Sequence, residues 1–255
     1  MRIEPSTWQS AHDCQHGHRP RPSDGVLSPQ PDREGGPPSR GATGIGRQEL
    51  DGELIEDVEG ALWTSETIER SRTEPHPPTP SPEGEGGFDR IVVGVDPPAG
   101  AGDTSDACGI MVCGSRGDEL FVLEDASVRG LSPEGWANRV AAAAARWNAV
   151  LVVAEANNGG AMVESVLKAA DIAVKVRLVH ASRGKCARAE PIALKFEAGR
   201  AFFAGHFPEL EAELGGMIAG GGYEGQRSPD RADAMVWAMT VLSETKSGVP
   251  RVRRL

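Results

Sequence analysis

Two apolar runs of this chain each stop at a carboxylate, and that pattern limits the folds open to it. Ile91-Val92-Val93-Gly94-Val95 is followed by Asp96, and Val150-Leu151-Val152-Val153-Ala154 by Glu155. Short runs without polar alternation suit strands covered on both faces, as in the centre of a partly parallel sheet. A further acidic pair, Asp230 and Asp233, opens Ser228-Pro229-Asp230-Arg231-Ala232-Asp233-Ala234, and three residues apart in a helix they share one face. Carboxylates in such places are costly to bury unpaired, and divalent cations are the usual compensation. The expectation is one site that collects Asp96, Glu155, Asp230 and Asp233.

The order of elements decides whether these acids can meet. Strands are predicted at Arg90–Val95, Ala107–Cys113 and Glu119–Ala126, with spacings that suit an antiparallel meander. A helix over Pro133–Trp147 follows, with Ser132 as its cap and Pro133 at its first position. Then come a strand at Val150–Ala154, a helix from Gly159-Gly160 to Ala170, and a strand at Ala173–Val179. A helix near Ala187–Ala198, a short strand at Ala201–Phe203, a helix from Pro208 and a last helix over Pro229–Glu244 complete the pattern. Three antiparallel strands followed by alternating helix and strand predict an α/β fold with a ribonuclease-H-like mixed sheet flanked by helices. In that order the first and fourth strands are parallel neighbours, and ligand sites collect at the carboxyl ends of such strands.

Composition divides the chain. Residues 1–87 hold 12 of the 19 prolines and 8 Lys+Arg against 16 Asp+Glu, a net of −8. The remainder has 19 against 21, a net of −2, which accounts for the overall −10. The acidity therefore belongs mostly to the leader and does not exclude a nucleic-acid partner for the near-neutral remainder. The predicted organisation is a disordered low-complexity leader over 1–43, a helical segment over 44–74, a Pro/Gly linker over 75–87, a folded domain over 88–245 and a basic tail over 246–255. Within 44–74, Leu50, Leu54, Ile55 and Val58 have helical spacing, and Thr64 caps a short helix from Ser65 to Arg72. His12, Asp13, Cys14, His16 and His18 read as polar residues of the leader, because no second ligand group at zinc-site spacing follows. The four cysteines form no CxxC pair, and no membrane span or signal core is present. A cytoplasmic location is expected.

The chemistry expected of the acids is that of hard cations. Oxygen ligands without His or Cys favour magnesium or manganese over zinc. Two Mg²⁺ or Mn²⁺ ions about 3.5–4 Å apart would activate a water and stabilise a leaving 3′ oxygen. Asp96, Glu155 and Asp233 are the central candidates, while Asp230 is also what a helix dipole favours in a first turn. Asp103 and Asp106 read as a solvated turn, with metal contact by Asp106 as the alternative. Arg183, Lys185 and Arg188 follow the strand ending at Val179, on the same sheet edge as the acids, where they suit phosphate contact or a solvated loop. Arg251, Arg253 and Arg254 form the basic tail.

At these residues the chain resembles the C-terminal nuclease domain of the large terminase subunit, the DNA-packaging motor protein of tailed phages and gene transfer agents. The matching segments are Val93–Pro97, Ser105–Ile110, Ala154–Gly160, Ala181–Lys185 and Ser228–Ala238, in this order across residues 88–245. Gly46–Trp63 also looks like the stretch that joins the terminase ATPase to its nuclease. The resemblance implies a metal-dependent endonuclease that cuts concatemeric double-stranded DNA during viral genome packaging. Metal-ligand roles would fall on Asp96, Glu155 and Asp233, with Asp230 beside them. It also implies a portal protein, a small terminase subunit and a separate ATPase chain as partners, in a bacterial or phage-infected cell or from a prophage. No G-x-x-x-x-G-K-[ST] phosphate loop occurs, and Gly184-Lys185-Cys186 lacks both the first glycine and the hydroxyl residue. The chain therefore reads as a truncated or split terminase without the ATPase part.

Two other readings compete. Asp96–Gly109 also resembles the first phosphate loop of actin-like sugar kinases, but the chain has neither room nor sequence for the second loop those enzymes need. A catalytically silent remnant that binds DNA or a portal without cutting is the non-enzymatic alternative.

Overall fold

The computed structural model of the chain describes residues 57–75, 87–98, 107–157, 160–170 and 175–244. The leader 1–43, Leu50, Leu54 and Ile55, most of the expected linker, Asp103, Asp106 and the tail with Arg251, Arg253 and Arg254 lie outside those residues. Helix α1 (Ser65–Arg70) is capped by Thr64, whose side-chain oxygen accepts the Thr67 N–H at 3.1 Å. Strand β1 (Arg72–Thr73) follows directly, and then the meander β2 (Arg90–Asp96), β3 (Gly109–Arg116) and β4 (Glu119–Asp125). Helix α2 (Pro133–Arg146) starts at the Ser132 cap, and β5 (Leu151–Glu155), α3 (Gly160–Ala169) and β6 (Lys175–Val179) come next. The chain continues through α4 (Lys185–Glu197), β7 (Ala201–Ala204), α5 (Pro208–Gly215) and α6 (Asp230–Glu244).

The seven strands of the described residues join one sheet in the order β1-β7-β4-β3-β2-β5-β6. The β2–β3 and β3–β4 pairs are antiparallel, and β2–β5, β5–β6, β4–β7 and β1–β7 are parallel. This is the mixed ribonuclease-H-like sheet that the element order predicts. Three details differ. β3 begins at Gly109 rather than Ala107, because Cys108 exchanges backbone hydrogen bonds with Val128 in an isolated bridge. β1 is too short to leave a periodic signal, yet it extends the sheet beyond β7. Ahead of it, Trp63 is fully buried against Phe196 of α4, so this segment packs on the same core. Finally, α4 begins at Lys185 with Gly184 as its cap, two residues ahead of the expected start, which puts Lys185 on the same helix as Arg188.

Strand alternation sorts the core into two faces. Val93, Val95, Val152 and Ala154 pack with Trp136 and Val140 of α2 and Val163 and Leu167 of α3. Val92, Leu151 and Val153 pack with Ile192 and Phe196 of α4, Leu210 of α5 and the buried residues of α6. Asp96 shares the parity of Val92, and Glu155 that of Leu151 and Val153, so both acids belong to the face covered by α4 and α6. Helix α6 is buried at ten of its 15 residues, as suits an interior helix rather than an amphipathic surface one. Among the described residues no helix is long and apolar enough to cross a membrane.

Helix α6 lies against the sheet at backbone distance, and two glycines permit it. A Cβ at Gly94 of β2 would stand 1.9 Å from the Ala234 carbonyl oxygen, and one at Gly109 of β3 would stand 2.0 Å from that of Asp230. Both obstacles are backbone, so no rotamer change relieves them. Gly94→Ala is therefore expected to cost about 3 kcal/mol or more, at the upper end of overpacking effects, read as the midpoint of chemical unfolding. Gly215→Ala, where the new Cβ meets nothing within 4 Å, should leave that midpoint in place. Equal effects of the two changes would contradict this account of the packing.

Candidate functional site

The close approach of α6 delivers its acids to the strand ends. Asp96 closes β2 and pairs in register with Gly109, the residue over which the Asp230 carbonyl passes. Glu155 closes β5, one step beyond the Val95–Ala154 pair of the parallel β2–β5 ladder. Asp233, one helical turn after Asp230, has no solvent exposure, and Asp230 is 6% exposed. All four predicted acids thus gather at one end of the sheet, from β2, β5 and α6.

Positive charge comes from the first turn of α4. Lys185 pairs with Asp233, stands 3.7 Å from an Asp96 oxygen and donates to the Ser228 hydroxyl at 3.1 Å. Arg188 lies one turn on, so it reaches the same place from the same helix face. One of its terminal nitrogens donates to Glu155 Oε2 at 2.9 Å and the other to Asp233 Oδ1 at 3.0 Å. Arg183 is exposed, and no acid among the described residues pairs with it. Among the described residues two more donors reach Glu155: the Trp237 indole N–H at 2.7 Å from Oε2, and the Asn157 amide at 2.7 Å from Oε1. Sequence reasoning passed over both. The available signal was spacing, since Trp237 is four residues beyond Asp233 on one helix face and Asn157 two residues beyond Glu155.

A second charged set steadies the start of α6. Arg231 donates to Asp125 at 2.8 Å and to Glu213 of α5 at 3.3 Å, and Glu213 also accepts the Ala232 N–H at 2.9 Å. That last bond satisfies one of the free N–H groups of a helix start, the task usually done by a capping residue. Burial pushes the Glu213 carboxyl up to about 7, against the pull of the Ala232 N–H and Arg231.

Burial is the largest influence on the acids themselves. It holds the Asp96 carboxyl well above the ordinary carboxylate range; Lys185 pulls it down, and the charges of Asp233, Glu155 and Asp230 push it further up. Burial also raises Asp233, against Lys185 and Arg188. For Lys185, burial works against the charged form, but Asp233 and Asp96 outweigh it and keep the ammonium above its ordinary value. Lys185 makes its closer contact with Asp233, which leaves Asp96 the less compensated of the two. Cys108 lies beside this group; burial, with Asp96 and Asp230 nearby, holds its thiol protonated, so the donors on offer are carboxylate oxygens. As arranged, no group of three or more His, Cys, Asp or Glu among the described residues stands ready to hold a metal ion. Lys185 and Arg188 supply the positive charge instead.

The sign of the linkage follows. A carboxyl raised in the folded state binds its proton more tightly there, so its contribution is complete below the unfolded value and is lost as pH rises. Asp96→Asn, which mimics the protonated acid, should therefore melt above the wild type at pH 7 in chelator, with the gain vanishing below the ordinary value of 3.8. A wild type more stable than the variant at pH 7 would show that Asp96 is well compensated without any added cation.

A family model described as the terminase RNaseH-like domain matches residues 93–242. Among solved structures, the large terminase nuclease of thermophilic phage G20c superposes with a TM-score of 0.51 at 15% identity, covering 71% of this chain and 98% of that one. The nuclease domain of the large terminase subunit gp2 of bacterial virus Sf6 gives 0.50 at 15%, with 70% and 98% covered. The human cytomegalovirus terminase nuclease domain gives 0.50 at 13%, with 71% and 95% covered. At these identities the likeness is one of fold. No curated protein matches the chain. The family model spans more than half of the 255 residues, and the chain belongs to the family of terminase RNase-H-like domains.

Proposed function

We propose that this chain is a divalent-cation-dependent endonuclease that cuts concatemeric double-stranded DNA during viral genome packaging. The observation that carries the reading is the convergence of Asp96, Glu155, Asp230 and Asp233 on the Lys185–Arg188 face of α4, in a chain of the terminase family. Buried like charges need a counter-charge, and their all-oxygen donors suit magnesium or manganese. A G20c terminase nuclease structure carries magnesium, and the cytomegalovirus domain was soaked in manganese. Asp96, Glu155 and Asp233 would hold the ions, with Asp230 beside them; two are proposed. The chemistry supplied by ions bound there would be a lowered pKa for a water and stabilisation of the departing 3′ oxygen.

The remaining work falls to the chain's own side chains. Asp96 is held on β2 and Asp233 on α6, so the packing of helix on sheet fixes their separation. Lys185 and Arg188 are kept at the acids by ion pairs, and from there they provide cationic contacts for phosphate oxygens once the acids are otherwise neutralised. Arg183, exposed ahead of α4, contacts the DNA backbone further out. A portal protein, a small terminase subunit and a separate ATPase chain are the proposed partners, and the cytoplasm of a bacterial or phage-infected cell the setting. One observation favours a silent DNA- or portal-binding remnant instead: Lys185 and Arg188 already bridge Asp96, Asp233 and Glu155.

Supercoiled plasmid separates the two. With Mn²⁺ or Mg²⁺ the wild type should convert it to nicked and linear forms, and chelator should stop this. Asp96→Asn should lower the rate by about a hundredfold or more, as when one group stabilising transition-state charge is removed. DNA that stays intact under every cation condition would favour the silent remnant.

A further inference from the structure

Among the described residues Glu155 has three side-chain donors, and they are not equivalent. Arg188 and the Trp237 indole share Oε2, while Asn157 takes Oε1. Arg188 is a cation bound to the carboxylates that a metal ion would need, so the two compete. Asn157 is exposed, on the turn after β5. Trp237 is neutral and rides on α6 one turn after Asp233, so the helix itself fixes its distance from that acid. Its ring also carries the Arg188 guanidinium, 4.6 Å from the centroid. A stacked guanidinium retains a favourable contact with the ring face while its N–H groups exchange partners.

We propose that Trp237 is a positioning residue for Glu155: its indole N–H holds Oε2 in register with Asp233 while its ring face seats Arg188. The inference rests on the reading of the site as one that binds divalent cations for phosphodiester hydrolysis. A neutral donor on a ligand carboxylate orients it without opposing the incoming charge, which a cationic donor cannot do. Because Trp237 and Asp233 share one helix, the bond ties β5 to α6 at the atoms that must act together.

Trp237→Phe tests this, since it removes the N–H and keeps an aromatic ring, though a smaller one, for Arg188. Mn²⁺ affinity by calorimetry should weaken about tenfold, and kcat for plasmid cleavage should fall about 10- to 100-fold with KM for DNA unchanged, the range for lost partners of metal ligands. Wild-type Mn²⁺ affinity and kcat in Trp237→Phe, beside an inactive Asp96→Asn, would overturn the role of Trp237 and leave the reading of the site standing. A wild type that neither binds Mn²⁺ nor cuts would overturn both. The indole N–H NMR spectrum, with Trp237 itself left in place, provides a reading that needs no Trp237 variant. One indole resonance should move on addition of Mg²⁺ and on Glu155→Gln substitution; a spectrum indifferent to both would contradict the proposal.

Discussion

A helix can set buried carboxylates beside a strand end only where its backbone is allowed against the sheet. Here that permission comes from Gly94 and Gly109, which leave the Ala234 and Asp230 carbonyls the space a Cβ would fill. The consequences run outward from this contact. Asp230 and Asp233 arrive next to Asp96, the remaining face of α6 is sealed by apolar residues, and Asp233 loses all contact with solvent. Glu213 and Arg231 then secure the helix start, so the acids are held at both the sheet and the helix terminus.

Buried acids gathered this way raise the free energy of the folded chain unless positive charge meets them. Helix α4 provides it through Lys185 and Arg188, which bridge acids from β2, β5 and α6. Among the described residues the compensation is uneven, since Asp233 receives both cations and Asp96 the longer contact with Lys185. Such a residual imbalance is what a site that takes up further cations would be expected to retain, and stability held below its optimum is a common companion of function.

The strand-end acids were legible in the sequence because they follow apolar runs, whereas the face they share follows from the two-residue period only once the packing of the sheet is known. Asp230 and Asp233 were legible for the matching reason of helical spacing. What holds them was not. Lys185 read as a loop residue because α4 starts behind Gly184, two residues ahead of the helix expected from Ala187, and Gly184 offers no side-chain cap to mark the boundary. The Trp237 bond to Glu155 joins positions 82 residues apart, and Arg231 to Asp125 joins positions 106 apart, so neither leaves a local pattern. A two-residue strand such as β1 is below the length at which alternation can be seen at all.

The central claim is that the acids collected by α6 share a divalent cation that competes with Lys185. Anomalous diffraction from crystals soaked in Mn²⁺ tests it most directly. The account predicts manganese bound by Asp96 and Asp233 oxygens, with the Lys185 ammonium withdrawn from between them. Crystals in which no manganese orders at these carboxylates, and Lys185 still bridges Asp96 and Asp233, would contradict it.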